Sequence, residues 1–103
     1  MLEVRQSRTR QLVEIAALYF ELYKRNGNAS ALEIRKLKAS RQTLRNMHSD
    51  AQLKPIAQKT LTTVDNMLDY VETKEQRYLD AAIKAHHEAD ALIYAVMAKE
   101  SGK

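Results

Sequence analysis

Apolar residues recur at alternating intervals of four and three through the second half of the chain. The series starts at Ala57, ends at Val96 and keeps its phase throughout, except at Glu75, where a carboxylate occupies the apolar position. A mean spacing of 3.5 residues keeps one stripe on the same side of an α-helix and suits packing against other helices. This heptad stripe therefore predicts a long C-terminal helix over about residues 56–99.

The heptad stripe also predicts self-association. A chain of 103 residues hides only about two-thirds of its unfolded surface, so pairing with a second copy would add stability. We therefore expect a homodimer held by an apolar seam. The residues predicted to form that seam are Leu61, Val64, Leu68, Val71, Tyr78, Leu92 and Val96.

One polar run could interrupt the long helix. No Gly or Pro lies between Ile56 and Lys99, and an unbroken helix there would be roughly 65 Å long at ~1.5 Å per residue. A break near 72–77, with Thr73 and Gln76 as a capping box, would instead give four helices of similar length. Because the stripe keeps its phase across this run, we expect a continuous helix.

A first helix is predicted over about residues 7–25. Lys24 and Arg25 lie in its last turn, where cations complement the helix dipole, and Gly27 can adopt the left-handed conformation that ends a helix. The apolar face is broad, so we expect it in a protein core. Its central stripe is Leu12, Ile15, Tyr19 and Leu22, widened by Val13, Ala16, Phe20 and Tyr23.

A second helix is predicted over about residues 30–47. Ser30 and Glu33 have the spacing of a capping box, in which each side chain accepts a hydrogen bond from the other residue's backbone N–H. The apolar positions expected to face inward are Leu37, Leu44 and Met47.

The composition supports an all-α fold. Only two Gly and one Pro occur, so the chain has few of the turn residues that sheets need, and its length suits one domain of three to four helices over residues 1–103. Without cysteine it has no disulfide, no thiolate metal site and no cysteine nucleophile. No run approaches the ~20 apolar residues of a membrane span, so we expect a cytoplasmic protein without membrane association.

Charge is distributed unevenly between the two halves of the chain. Residues 1–47 contain ten Lys or Arg and four Asp or Glu, whereas residues 48–103 contain seven and nine. The resulting +6 and −2 place the positive field on the first two helices. An acidic protein surface or a nucleic acid is the kind of partner that this field attracts.

The segment Leu32–Arg45 resembles, in its second half, the turn and recognition helix of helix-turn-helix DNA-binding domains. The resemblance implies that Ser40 caps a recognition helix and that Leu44 anchors it to the core. It departs from the pattern at Lys38, where Gly is usual, and at Arg35 and Lys36, where a small packing residue is expected. We therefore favour one uninterrupted amphipathic helix with a solvated basic face. In either form, the candidate partner-binding residues are Arg35, Lys36, Lys38, Arg41, Gln42 and Arg45.

Two groups of titratable residues have helical spacing. His86 and Asp90 are neighbours on one helix face, where they could form a structural hydrogen bond, a pH-sensitive joint or two ligands of a metal site. Asp65, Asp69 and Glu72 also share a face, which we interpret as a solvated flank. Zinc needs three or four ligands and no partner motif accompanies either group, so we predict neither a metal site nor a cofactor.

The remaining aromatic and histidine residues differ in what their positions indicate. His48 and His87 are expected on the surface. Tyr70 and Tyr94 fall off the heptad stripe, which suits either an interface or a partly covered position in the bundle.

The functional expectation is a binding protein, because the chain contains no catalytic signature. We expect a non-enzymatic adaptor, chaperone-like or inhibitory protein that docks a helix face, with its basic N-terminal half, onto a protein partner. The alternative is a small helix-turn-helix-like regulator that binds nucleic acid through the basic helix over residues 30–47.

Overall fold

Four α-helices form the fold in the computed structural model, which describes residues 2–101 and the side-chain surroundings of residues 8–99. A 3₁₀ turn at Met47–Ser49 follows the second helix, and no strand occurs among the described residues. The all-α prediction is confirmed, in a bundle that measures 44 × 22 × 19 Å. The helices are α1 (Leu2–Lys24), α2 (Ala31–Asn46), α3 (Lys54–Thr73) and α4 (Gln76–Ser101).

The continuous helix favoured over about residues 56–99 is wrong, and the alternative, a break near 72–77 that gives four helices, is the one observed between α3 and α4. Lys74 has a left-handed backbone (φ 60°), and its N–H donates to the carbonyl of Tyr70. The capping box of Thr73 and Gln76 that belonged to this alternative does not form: the Thr73 hydroxyl donates to the Asp69 carbonyl and accepts from the N–H of Glu75. Folding back at this point lets α4 cover α3 within one chain, which a straight helix could not do.

The turn between α1 and α2 is left-handed at Gly27 (φ 77°), as predicted, and also at Asn26 (φ 56°). Asn26, not Gly27, occupies the left-handed position that ends α1: its N–H donates to the Tyr23 carbonyl at 3.2 Å, and the Gly27 N–H donates to the Leu22 carbonyl at 2.8 Å. The Lys74 ammonium donates to the Gly27 carbonyl at 2.5 Å and lies 5.9 Å from the centre of the Tyr70 ring. This turn is therefore held against the junction of α3 and α4.

The predicted capping box at the start of α2 is confirmed. The Glu33 N–H donates to the Ser30 hydroxyl at 3.2 Å, and the Ser30 N–H donates to the Glu33 carboxylate at 2.9 Å. Arg25 also hydrogen-bonds to that carboxylate. The Arg25 guanidinium, followed by the Ser30 N–H, lowers the pKa of Glu33 to about 2. The end of α1 and the start of α2 are thus tied by one carboxylate.

The core is built around α3, which contacts all three other helices. Both predicted inward sets are confirmed: the central stripe of α1 is buried, and so are Leu37 and Leu44 of α2 and Met47 of the 3₁₀ turn that follows it. The prediction that the residues widening the apolar face of α1 also lie in the core is wrong for three of them. Val13 and Phe20 are each 50% exposed, and Tyr23 is 40% exposed. The largest fully buried side chains are Leu12, Leu22, Leu37, Leu44, Met47, Leu53, Ile56, Val64 and Met67.

Candidate interaction surfaces

The basic residues of α2 divide between three sides of the helix. Arg35, Lys38, Gln42 and Arg45 follow each other at intervals of three, four and three, and all four are exposed. This spacing places them on one outer line, which we call the basic ridge. The helix thereby presents three cations and one amide to solvent over about three turns.

The other two candidate residues lie on opposite flanks of the basic ridge. Lys36 lines an open groove against α1, together with Gln11 and Glu14. Arg41 is half-buried on the other flank, where its guanidinium lies 3.8 Å from the Asp65 carboxylate of α3. The six residues therefore do not form one patch, because only the members of the basic ridge share a direction.

The turn implied by the helix-turn-helix resemblance does not occur in this structure. The α2 helix runs without a break from Ala31 to Asn46. Ser40 is buried in the middle of it, and its hydroxyl donates to the Leu37 carbonyl at 2.6 Å instead of capping a new helix. The uninterrupted amphipathic helix that the sequence also allowed is the one observed.

The carboxylates of α3 lie next to these cations. Asp69 and Glu72 are exposed, and Asp65 is half-buried beside Arg41. Their spacing places them on one side of α3, as the sequence predicts, and we call them the acidic row. The acidic row runs beside α2, so the two neighbouring helices present opposite charges to solvent.

The residues of the predicted seam are wholly or partly covered within the single chain. Val64 is fully buried, and Leu61, Leu68, Val71, Tyr78, Leu92 and Val96 are half-buried against the core. They pack as an apolar contact surface, which is the property that the heptad spacing predicts. Their association with a second copy remains a prediction.

The part of the heptad stripe on α3 does not face the part on α4. A salt bridge of 2.9 Å joins Lys59 to Glu88, which places α4 along one edge of α3. Leu61 and Leu68 lie four residues before and three residues after Asp65, so they share its edge, beside α2. The α3 helix therefore has α4 along the edge that carries Lys59 and α2 along the edge that carries Asp65, Leu61 and Leu68.

Large apolar side chains stand exposed along α1 and α4. The Tyr19 ring centre lies 4.6 Å from that of His86, and Ile15 and Ile93 line one cavity, so the two helices run antiparallel. Five residues along these helices are 40–65% exposed and form what we call the apolar face: Val13, Phe20, Tyr23, Tyr94 and Met97.

Among the described side chains, one large exposed hydrophobic residue lies elsewhere, Leu32 on α2. Within the apolar face, Phe20 and Tyr23 stack with ring centres 6.1 Å apart, and the Lys24 ammonium lies 5.5 Å from the Phe20 ring centre. The exposed apolar area is thus concentrated on one side of the molecule.

His86 lies at the joint between α1 and α4. A small cavity lined by Thr60 and Thr63 of α3 and by Asp90 adjoins its half-buried ring. Burial lowers the pKa of His86 below its usual value. The Asp90 carboxylate acts in the opposite direction and raises this pKa, and the neighbouring His87 lowers it further. Burial also raises the pKa of Tyr19 to about 12, so the tyrosine that contacts the His86 ring stays neutral.

The pair of His86 and Asp90 has no third metal ligand among the described residues. No group of three or more potential ligands comes together in that part of the chain.

We expect His86 to make stability depend on pH. Its pKa in the folded chain is below the ordinary 6.5, so the unfolded chain binds more protons, and stability falls as pH drops from 6.5 through the folded pKa. His86→Phe keeps a ring against Tyr19 and should flatten that slope, whereas His87→Phe, at an exposed position, removes only the smallest cause of the shift and should retain most of the slope. Urea denaturation at a series of pH values measures the slope, and equal slopes in the two variants would contradict the assignment.

His48 and Tyr70 are more buried than their positions in the sequence indicated. His48 was expected on the surface, but it is half-buried beside the core residue Met47, and its Nε2 has no hydrogen-bond partner among the described residues. Tyr70 is only 7% exposed and packs over Gly27, whereas Tyr94 is 65% exposed. Tyr70 lies three positions after Met67, which the structure shows to be fully buried and which also falls off the heptad stripe, so both belong to a buried side of α3 that the stripe does not mark.

None of the helices between residues 2 and 101 combines the length and the hydropathy that a membrane crossing requires. Comparison with known protein families, with curated proteins and with solved structures finds no match for this chain.

Proposed function

We propose that this chain is a non-enzymatic interaction protein that docks a helix of a protein partner onto its apolar face. The observation that carries the proposal is the exposure of Phe20 and Tyr94, at 50% and 65%. Large apolar patches on small proteins mark interaction sites, and aromatic residues supply much of the binding energy at interfaces. Two antiparallel helices also form the kind of groove that an amphipathic helix occupies.

Charge indicates the chemistry of the partner. Arg10 and Lys24 lie along the outer border of the exposed stripe of α1, at helical spacing from Val13 and Phe20. Residues 1–47 carry a net +6, so the half of the chain that contains α1 attracts acidic surfaces. A partner helix with an apolar side flanked by carboxylates matches both properties, and the positive field would speed its association.

The test compares two variants in a nuclease-treated pull-down from the native cell. Phe20→Ser with Tyr94→Ser removes one large exposed side chain from each helix of the apolar face, and Leu32→Ser removes a similarly exposed hydrophobic residue from α2. We expect a protein retained by the wild type and by Leu32→Ser, and lost from the double variant. Retention that is equal in all three, or that disappears with nuclease treatment, would overturn the proposal.

A second candidate function is nucleic-acid binding through the basic ridge. Its support is the exposure of Arg35, Lys38 and Arg45 on one line of α2, where they can reach phosphates. Without a turn at Ser40, this binding would rest on phosphate contacts more than on base reading. Retention on duplex DNA should then fall steeply as salt rises and should disappear in Lys38→Ala with Arg45→Ala. A chain that is not retained at physiological salt would exclude this function.

A further inference from the structure

We propose that the surface formed by α2 and α3 is a self-complementary dimerisation site, in which the basic ridge of one copy lies on the acidic row of a second copy. This inference is independent of docking at the apolar face, which belongs to α1 and α4, and it competes with nucleic-acid binding for the basic ridge of α2.

The relative direction and alignment of α2 and α3 determine which residues of the two helices lie at the same level. The Lys74 ammonium reaches the Gly27 carbonyl, so the end of α3 lies beside the turn that leads into α2. About two-thirds of the way along α2 and near the middle of α3, the Arg41 guanidinium lies 3.8 Å from the Asp65 carboxylate. The helices are therefore antiparallel, and each step forward along α2 corresponds to an equal step backward along α3.

This register aligns the charges level by level. Three residues before Arg41, Lys38 is level with residues 68–69 of α3, where Asp69 is exposed. Three residues earlier again, Arg35 is level with residues 71–72, where Glu72 is exposed. Both cations are exposed on the outer line of α2, so within one chain they are level with Asp69 and Glu72, and the charged groups remain open to solvent.

A two-fold axis parallel to the helices converts this arrangement into a dimer contact. Rotation by half a turn about that axis keeps the level of every residue and places α2 of one copy over α3 of the other. Lys38 then faces Asp69, and Arg35 faces Glu72, on both sides of the axis. An axis perpendicular to the helices would place α2 on α2 and α3 on α3, with like charges opposed, so the charge pattern selects the first arrangement.

Apolar side chains between the two charged lines supply the centre of the contact. Ile34 lies seven residues before Arg41 and is half-buried on the same edge of α2. Leu61 and Leu68 are half-buried on the facing edge of α3. This apolar centre matters because exposed ion pairs alone contribute little to association. Two residues of the predicted seam thus take part in the dimer, on the α2 edge of α3.

Charge reversal tests the proposal in sedimentation-velocity experiments. We expect the wild type to dimerise as concentration rises and to dissociate as salt rises. Lys38→Glu and Asp69→Lys should each weaken the dimer about tenfold, because each change makes two symmetry-related pairs repulsive. An equimolar mixture of the two variants should associate as tightly as the wild type, since every opposed pair is then complementary. The double variant should also dimerise.

Matched controls keep the test specific. Lys84→Glu changes an exposed lysine on α4 by the same charge and should leave the dimer intact. Arg35→Glu and Glu72→Arg provide a second pair of reversals if either first variant loses its helical circular dichroism.

Three results would overturn the proposal. The first is a wild type that stays monomeric throughout the accessible concentration range, and the second is a mixture of single variants that fails to associate. The third is a monomeric chain that loses duplex DNA affinity in Lys38→Glu and gains it in Asp69→Lys, which would assign the basic ridge to nucleic acid.

Discussion

Leu44→Ala is expected to lower the free energy of unfolding by about 2–5 kcal/mol, the range for a leucine truncated to alanine in a closely packed core. Leu44 is 0% exposed and belongs to the core cluster that joins α2 to α3. Truncation removes three carbon atoms from a region where few neighbours can move into the space. Urea denaturation followed by far-ultraviolet circular dichroism measures the loss, and the dependence of the free energy on urea concentration should stay the same.

The matched control for this prediction lies on the same helix. Leu32 is 55% exposed, so Leu32→Ala changes the same residue type to the same product with little loss of packing. We expect a change within about 0.5 kcal/mol, as for other exposed positions. Similar losses in the two variants would show that α2 does not pack on α3 through Leu44.

Gly27→Ala is expected to lower the free energy of unfolding by about 2–4 kcal/mol, through two separate effects. The first is conformational, because a residue with a Cβ pays about 1–2 kcal/mol to adopt the left-handed backbone observed at Gly27. The second is steric, since a Cβ there would lie 2.8 Å from a ring carbon of Tyr70, which is itself buried. The two helix junctions meet at this point, so strain here disturbs both.

A double-mutant cycle separates the two effects. In a Tyr70→Ala background the ring is gone, and the cost of Gly27→Ala should fall to the conformational part alone. The neighbouring substitution Asn28→Ala, at an exposed position, should change the free energy of unfolding by less than about 0.5 kcal/mol. An equal cost of Gly27→Ala in both backgrounds would contradict the steric contribution of Tyr70.

Several elements of the fold were predictable because local interactions determine them. The capping box of Ser30 and Glu33 and the left-handed Gly27 depend on residues within a few positions of each other, so their spacing in the sequence is sufficient. The inward positions of α2 follow the helical period in the same way. Both helices before Pro55 were predicted within a few residues of their ends, apart from the earlier start of α1.

The break between α3 and α4 shows where periodic reasoning fails. The heptad stripe keeps its phase on both sides of Glu75, and the phase alone indicated one helix. Periodicity reports which face of each segment is apolar, but it carries no information about whether the two segments point in the same direction. The chain folds back at Lys74 because α3 then gains α4 as a neighbour.

The candidate surfaces were only partly visible in the sequence. All six candidate residues of α2, five basic residues and Gln42, were identified, but only the structure separates the basic ridge from Lys36 and Arg41, which lie toward other helices. The apolar face was missed, since Val13 and Phe20 have the spacing of core residues. They remain exposed because α1 lies over α3 with only part of its apolar circumference covered.

The sequence by itself determined the all-α class, the caps, the central core positions and the unequal distribution of charge, because these depend on composition and on contacts within a few residues. Only the tertiary structure decided which apolar residues are covered, where the long segment turns back and which charges come level across α2 and α3. Those outcomes depend on which helix lies beside which, and side chains far apart in the sequence determine that through packing.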